Sequence, residues 1–107
     1  MMHKEPRKEL GAQQVAALWR RGTNHVGGVN GLILNVTMYG SRSWVFRYQV
    51  AGKRRDFGLG SYPSVTLAEA REAARFARAK LAQGIDPIED ARRARERLIA
   101  EIHTGMN

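Results

Sequence analysis

Residues 31–63, GLILNVTMYGSRSWVFRYQVAGKRRDFGLGSYP, decide the fold of this chain. The stretch holds three short runs in which apolar and polar residues alternate, with tight turns between them. Successive side chains of a strand point to opposite faces, so these runs predict an antiparallel sheet of three strands. We expect the strands over residues 32–38, 43–50 and 53–59.

Alternation divides the side chains of this sheet between an apolar face and a polar, basic face. The apolar face takes Leu32, Leu34, Val36, Trp44, Phe46, Tyr48, Phe57 and Leu59. The other face takes Asn35, Thr37, Val45, Arg47, Gln49 and Arg54. A basic sheet face is a candidate platform for a nucleic-acid groove.

Helices are expected before and after the sheet. Thr66 and Glu69 form a capping-box pattern that predicts a helix over residues 67–83, and Gly84 suits its end. Its alanine-rich stripe is suited to close packing on the aromatic face of the sheet. A shorter helix is predicted over residues 10–20, with Trp19 in its apolar stripe, and a turn-rich loop follows over residues 23–31.

A last helix is predicted from Asp86 to about residue 102, because Asp86 suits an N-cap and Pro87 the first helical position. Its apolar stripe is broken by Arg95, which suggests that it packs against something else. The predicted fold class is α+β: a three-stranded antiparallel sheet packed against a helix, with a further N-terminal helix and a C-terminal connector helix. We divide the chain into a disordered tail (1–9), a folded domain (10–84) and the connector (85–107).

Composition indicates the class of partner. The 107 residues carry 18 Lys and Arg against 10 Asp and Glu, a net charge of +8 that favours a polyanion, nucleic acid before an anionic membrane. The chain has no cysteine, which excludes disulfides, Cys-ligated zinc and thiol catalysis, and suits a cytoplasmic location. No apolar run approaches the roughly 20 residues that span a bilayer, so no membrane partner is expected.

Catalytic patterns are weak throughout the sequence. The three histidines, His3, His25 and His103, do not share a helix at metal-ligand spacing. No serine lies in the context of a triad, and the lone Gly58-Leu59-Gly60 motif is not a phosphate-binding loop. We therefore expect neither an active site nor a metal or other cofactor.

Basic residues of the sheet are the candidate binding site. Arg47, Arg54 and Gln49 are predicted to contact bases, with Asn35 and Thr37 beside them. The turn residues Arg42, Lys53 and Arg55 are better placed for phosphates. Against this, basic side chains commonly protect the exposed face and edges of small sheets. The helical arginines, at positions 71, 75, 78 and 92–97, fit a solvated face as well as a phosphate ridge.

Six segments, in this order and spacing, carry a family resemblance: GLILNVT (31–37), GSRSWVFRY (40–48), GKRR (52–55), GLGSYP (58–63), LAEAR (67–71) and GIDP (84–87). Over about residues 27–87 the chain resembles the amino-terminal arm-binding domain of phage and genomic-island integrases of the tyrosine recombinase family. The resemblance implies a fold akin to double-stranded-RNA-binding domains, with the sheet in the DNA major groove at arm-type sites. It also implies a helical connection to core-binding and catalytic domains.

The implied function is sequence-specific binding of double-stranded DNA at arm-type sites, in support of site-specific recombination and DNA integration. The implied partners are DNA, the rest of a parent integrase and neighbouring protomers on DNA. The catalytic Arg/Lys/His/Arg set and tyrosine nucleophile of such integrases cannot be placed in this chain, so it is not expected to be an enzyme by itself. A double-stranded-RNA-binding domain and a protein-interaction module remain alternatives.

Overall fold

The fold is α+β, and the computed structural model describes residues 9–105. The tail predicted over residues 1–9 falls outside the described residues except for Glu9. The elements are α1 (Ala12–Ala16), β1 (Gly22–His25), β2 (Leu32–Val36), β3 (Arg42–Val50), β4 (Lys53–Ser61), α2 (Leu67–Ala82) and α3 (Pro87–Gly105). No helix of this described part is long and apolar enough to cross a membrane.

The sheet has four strands in the order β1-β2-β3-β4, all antiparallel, so the prediction of three strands was wrong. The loop predicted over residues 23–31 is confirmed only for residues 26–31, because residues 23–25 belong to β1. The missed strand, Gly-Thr-Asn-His, has no apolar alternation that could have revealed it. Asn24 takes its core-facing position and is 8% exposed. Its amide donates to the carbonyls of Arg20 (2.8 Å) and Leu34 (3.3 Å), so hydrogen bonds replace apolar packing there.

The core lies between the sheet and α2, as predicted. Trp44 and Phe46 are fully buried, and Ala70 and Ala74 of α2 are buried against them. The indole Nε1 of Trp44 donates to the carbonyl of Val65 at 2.7 Å, so the one polar atom of this side chain is satisfied. The alanine stripe brings the helix close to the aromatic face.

Strand β4 carries a bulge that the alternation did not predict. Trp44 is paired with Gly60 and Val45 with Gly58, which leaves Leu59 without a partner of its own. The strand therefore continues past the predicted end at residue 59 to Ser61. Ser61 is paired with Ser43 and faces the side of the sheet away from α2.

Helix α1 is shorter than predicted, and Trp19 lies outside it with 56% of its surface exposed. The placement of Trp19 in an apolar stripe was wrong, whereas Val15 is fully buried. Arg42 explains the early end of the helix. Its Nη1 donates to the carbonyl of Ala16 at 3.0 Å, and its guanidinium lies 3.5 Å from the centre of the Trp19 ring.

Helices α2 and α3 begin where the sequence predicts. Thr66 and Glu69 form the reciprocal capping box, and Gly84 follows α2 with φ of +80°. Asp86 accepts a hydrogen bond from the amide of Ile88 at 3.0 Å and so caps α3. From residue 92 to residue 105, every described side chain of α3 is exposed, so its second half projects from the domain.

Candidate nucleic-acid interface

The outer face is the side of the sheet opposite α2, and the strand register arranges its side chains in four rows. The rows are Thr23–Asn35–Ser43–Ser61, His25–Ile33–Val45–Gly58, Arg47–Asp56 and Gln49–Arg54. The first row carries hydroxyl and amide groups, the second is largely aliphatic, and the last two carry charge. Arg47, Gln49 and Arg54 thus share one face, as the sequence predicts.

The charged rows lie on a two-stranded ribbon. Strand β2 is paired with β3 only from Arg42 to Phe46, whereas β3 and β4 stay paired to the turn at Ala51 and Gly52. The Arg47 amide still donates to the carbonyl of Gly31 at 2.8 Å, so residues 48–50 and 53–55 are the part that extends beyond the other strands. A two-stranded ribbon of this kind fits the major groove of B-DNA, which is about 12 Å wide.

Arg47 and Asp56 form a bidentate ion pair across the ribbon. Nε of Arg47 lies 2.9 Å from Oδ1 of Asp56, and Nη2 lies 3.1 Å from Oδ2. The hydrogen bond from Arg47 lowers the pKa of Asp56, and the same bond raises the pKa of Arg47. Sequence reasoning missed Asp56, although pairing the strands outward from the Ala51-Gly52 turn places it opposite Arg47.

Arg54 and Lys53, at the tip of the ribbon, are exposed and form no hydrogen bond or ion pair with any other described residue. Gln49 is exposed beside Arg54. Their donors and acceptors are therefore available to an external ligand. This tip combines two cations with an amide that can both donate and accept.

Asn35 and Thr37, the predicted site residues in and after β2, lie at the end of the outer face away from the ribbon tip. Asn35 is half-buried between Thr23 and Ser43. Thr37 lies beyond the end of β2, where its Oγ1 accepts from the amide of Ser41 at 3.1 Å. Ile33 also has the outer-face parity but is only 1% exposed, so it is buried where the alternation predicted a polar face.

The structure does not place Arg42, Lys53 and Arg55 on the outer face with the other predicted site residues. Arg42 is paired with Val36, Lys53 with Val50 and Arg55 with Tyr48, so all three belong to the α2 side of the sheet. Nη1 of Arg55 lies 2.7 Å from Oδ2 of Asp86, and Oδ1 of the same carboxylate accepts from the Tyr48 hydroxyl. The guanidinium group of Arg42 holds the N-terminal segment to the sheet, and that of Arg55 holds α3. Their contacts with phosphate stay predictions.

The contact among Tyr48, Asp86 and Arg55 shifts the pKa values of Tyr48 and Asp86. Burial raises the pKa of Asp86, but the hydrogen bonds from Tyr48, the Ile88 amide and Arg55 outweigh burial and lower it overall. Burial and the bond to Asp86 raise the pKa of the Tyr48 hydroxyl to about 12. The carboxylate therefore stays charged, and the phenol stays a donor, throughout the neutral range.

Two of the three α2 arginines clamp the loop between β1 and β2. Arg71 donates to the carbonyls of Leu10 (2.7 Å) and Val26 (3.2 Å), and Arg78 donates to that of Asn30 (2.8 Å). A Cβ at Gly28 would lie 2.5 Å from Nε of Arg71, so only glycine fits beneath that side chain.

Comparison with known proteins gives a family match and several similar relatives. Residues 10–94 match the model of a family described as "Arm DNA-binding domain". The integrase of Shigella phage Sf6 and the prophage integrase IntS of Escherichia coli K12 are each 44% identical to the chain over 59 residues, 55% of this chain and 15% of the relative. The integrase of Enterobacteria phage P4 is 35% identical over 85 residues, 77% of this chain and 19% of the relative. The chain thus spans less than a fifth of these relatives' length.

Proposed function

The chain belongs to the arm DNA-binding domain family, and on that basis we propose that its outer face binds double-stranded DNA sequence-specifically at arm-type sites of an integrase. The observation that carries this proposal is the projecting ribbon, with Arg47, Gln49 and Arg54 on the side away from α2. Lys53 extends the positive charge to its tip. The integrase relatives support a role in DNA integration.

In this proposal the ribbon lies in the major groove and its side chains have separate tasks. Arg47 and Arg54 each present a planar fork that matches O6 and N7 of guanine, and Gln49 presents an amide that matches N6 and N7 of adenine. Lys53 at the ribbon tip contacts phosphate, which contributes affinity without sequence information. Asn35 and Thr23 can reach the neighbouring bases or sugars.

In this arrangement Asp56 changes how the Arg47 guanidinium can bind DNA. Held in a bidentate pair, the Arg47 guanidinium is less available to the nearest phosphate and its plane is fixed relative to the ribbon. A carboxylate on the groove side is also repelled by phosphates and can accept from the N4 amino group of cytosine. We assign Asp56 to discrimination between base pairs, at a cost in affinity for DNA in general.

The decisive experiment is a titration of ¹⁵N-labelled protein with a duplex selected by this protein from a random pool. We expect the amides of residues 47–56 and of Thr23, Asn35 and Ser43 to shift, while those of Ala70 and Ala74 under the sheet stay still. The binding constant should fall with salt as phosphate contacts predict, with a log–log slope of about −0.9 for each neutralised phosphate. Shifts confined to α3, with a silent outer face, would contradict the proposal.

A matched RNA duplex separates this proposal from the double-stranded-RNA alternative. Domains that bind RNA duplexes read 2′-hydroxyls across about 16 base pairs, largely without sequence preference. We expect the DNA duplex to displace the RNA and not the reverse. Equal competition by RNA would overturn sequence-specific DNA reading.

We place the strand cleavage and joining of integrases outside this domain, in the part of such proteins that the chain does not cover. The domain's proposed contribution is to hold that machinery on flanking DNA, which in a phage or prophage setting lies in the bacterial cytoplasm. Equal recombination by a parent integrase with an unaltered and with a ribbon-deleted domain would contradict this role.

A further inference from the structure

Gly58 lies in β4 at a position where the fold does not require a glycine. Its φ lies outside the left-handed region, and a Cβ added to it would meet no atom within 4 Å. Gly22 and Gly60, the other glycines within the four strands, have φ of +96° and +117°. A Cβ at Gly60 would also lie 2.6 Å from Cγ2 of Val65. The fold therefore needs glycine at residue 60 but not at residue 58.

A glycine that the fold does not need still has an energetic cost. Glycine within a strand is less favourable than alanine, because its backbone loses more conformational freedom on folding. A glycine in a strand commonly marks a bulge, or a place where another molecule approaches the backbone closely. The bulge of β4 leaves Leu59 unpaired, and the positive φ beside it belongs to Gly60, so the second explanation applies to Gly58.

The strand register places Gly58 in the middle of the outer face. It is paired with Val45, so a side chain at residue 58 would point away from α2. Gly58 is exposed and Val45 is half-buried. The next row of the same face, two residues along each strand, is the Arg47–Asp56 ion pair. This spacing is about 6.8 Å, close to the rise of two base pairs of B-DNA.

The chemistry of the Val45–Gly58 pair indicates what it can contact. The side chains of the pair offer apolar surface and no hydrogen-bonding group. In the major groove, the C5-methyl group of thymine is the apolar feature that distinguishes one base pair from another. A shallow site with a valine side chain on one strand and no side chain on the other therefore matches a thymine methyl group.

We propose that Val45 and Gly58 form a subsite for the C5-methyl group of a thymine, about two base pairs from the base that Arg47 contacts. Gly58 lets the edge of the base approach β4, and Val45 packs against the methyl group. The inference rests on the proposed DNA binding of the outer face and adds to it a contact that is made without hydrogen bonds.

Replacement of thymine by uracil tests the subsite, because it removes only the methyl group from the major groove. The probe is the duplex that this protein selects from a random pool, with each thymine replaced by deoxyuridine in turn. We expect one position to lose affinity by about fourfold, the ratio that corresponds to one buried methyl group. Val45→Ala should bind the thymine and uracil duplexes equally. Lys53→Ala, at the ribbon tip, should weaken both duplexes and keep the fourfold ratio.

Gly58→Ala provides a second measurement, in which stability and binding respond differently. The midpoint of urea denaturation should be no lower than that of the natural chain, because alanine fits the backbone there. Affinity for the selected duplex should fall by about fivefold or more, since the added methyl group occupies the space of the thymine methyl. Gly60→Ala is the control for the fold and should lower the urea midpoint. Undiminished DNA affinity in Gly58→Ala would overturn the inference.

The outcomes separate this inference from the proposed function. A natural chain that binds its selected duplex without responding to uracil at any position refutes the subsite alone, as does a Val45→Ala variant that keeps the fourfold ratio. A natural chain that prefers no duplex over any other refutes the proposed function, and the subsite with it.

Discussion

Arginines on the two sides of the sheet differ in what their guanidinium groups contact. On the α2 side, Arg42 and Arg71 donate to backbone carbonyls, and Arg55 pairs with the carboxylate of Asp86. On the outer side, Arg54 faces solvent without a partner in the described chain, and Arg47 pairs only with Asp56 across the ribbon. Guanidinium groups of the first set fasten segments of the fold; those of the second set can bind a ligand.

The difference shows that net charge does not locate a binding site. A charge of +8 indicates an anionic partner, yet Arg42, Arg71 and Arg78, which contribute to it, donate to backbone carbonyls of the fold. At the ribbon tip, by contrast, Lys53 and Arg54 form no hydrogen bond or ion pair with another described residue, so their donors are available to a ligand. The following measurements test the distinction.

The largest expected effect is on the α2 side, in the core. Trp44→Ala removes a fully buried indole and should lower the free energy of unfolding by about 3–5 kcal/mol. The matched variant Trp19→Ala removes a side chain that is 56% exposed and should cost less than about 1 kcal/mol. Urea denaturation of both compares them. Similar losses would contradict the assignment of Trp44 to the core and of Trp19 to the surface.

The next effect compares two arginines of one helix that differ in their partners. Arg71→Ala leaves the carbonyls of Leu10 and Val26 without their donor and should cost about 2–3 kcal/mol of stability. Arg75→Ala removes the same charge from an exposed i, i+3 pair with Glu72 and should cost about 0.5 kcal/mol or less. Thermal denaturation of the pair at one ionic strength measures this. Equal costs would show that α2 uses its arginines for charge alone.

On the outer side, the largest effect should be on sequence discrimination. Arg47→Ala is expected to reduce the preference for the selected duplex over a random one by about 2 kcal/mol. Asp56→Asn should instead strengthen binding to the random duplex, because it frees the Arg47 guanidinium for phosphate. The preference for the selected duplex over the random one should therefore also become smaller. Fluorescence anisotropy with both duplexes measures the two ratios. An unchanged ratio in both variants would sink the base-reading role of the ribbon.

A smaller effect concerns pH and the α3 anchor. The pKa of Asp86 is lowered in the fold, so its contribution to stability is present above its ordinary pKa of about 4 and is lost as the pH falls through the folded value. Asp86→Asn should cost about 1 kcal/mol at pH 7, and the difference from the natural chain should shrink towards pH 2. Denaturation curves at several pH values test the sign. A difference that grows on acidification would be incompatible with a carboxylate held charged.

The smallest effect is at the ribbon tip. Lys53→Ala should weaken binding to all duplexes about equally, by a few tenths of a kcal/mol at moderate salt, and reduce the log–log salt slope by about 0.9. Arg75→Ala on α2, which removes the same charge elsewhere, should leave the slope unchanged. Equal changes in slope would mean that the general field of the protein, and not the ribbon, attracts DNA.

The sequence predicted the parts of the fold that depend on local signals. Alternation over residues 32–59 predicted β2 to β4 and the buried face, and the Thr66 cap predicted the start of α2. Strand β1 was missed because Asn24 secures it through carbonyls that lie near only in the fold. The same reason explains Arg55, whose partner Asp86 lies 31 residues further along the chain. Asp56 was accessible to sequence reasoning, since the hairpin register alone brings it opposite Arg47.

The contact of Asp86 with Tyr48 and Arg55 has a geometric consequence for what lies beyond the sheet. These two side chains project from the back of the same ribbon whose front carries Gln49 and Arg54, and Asp86 begins α3. Asp86 therefore connects the ribbon directly to the start of α3. When the ribbon binds a ligand, this contact relates the direction of α3 to the position of that ligand.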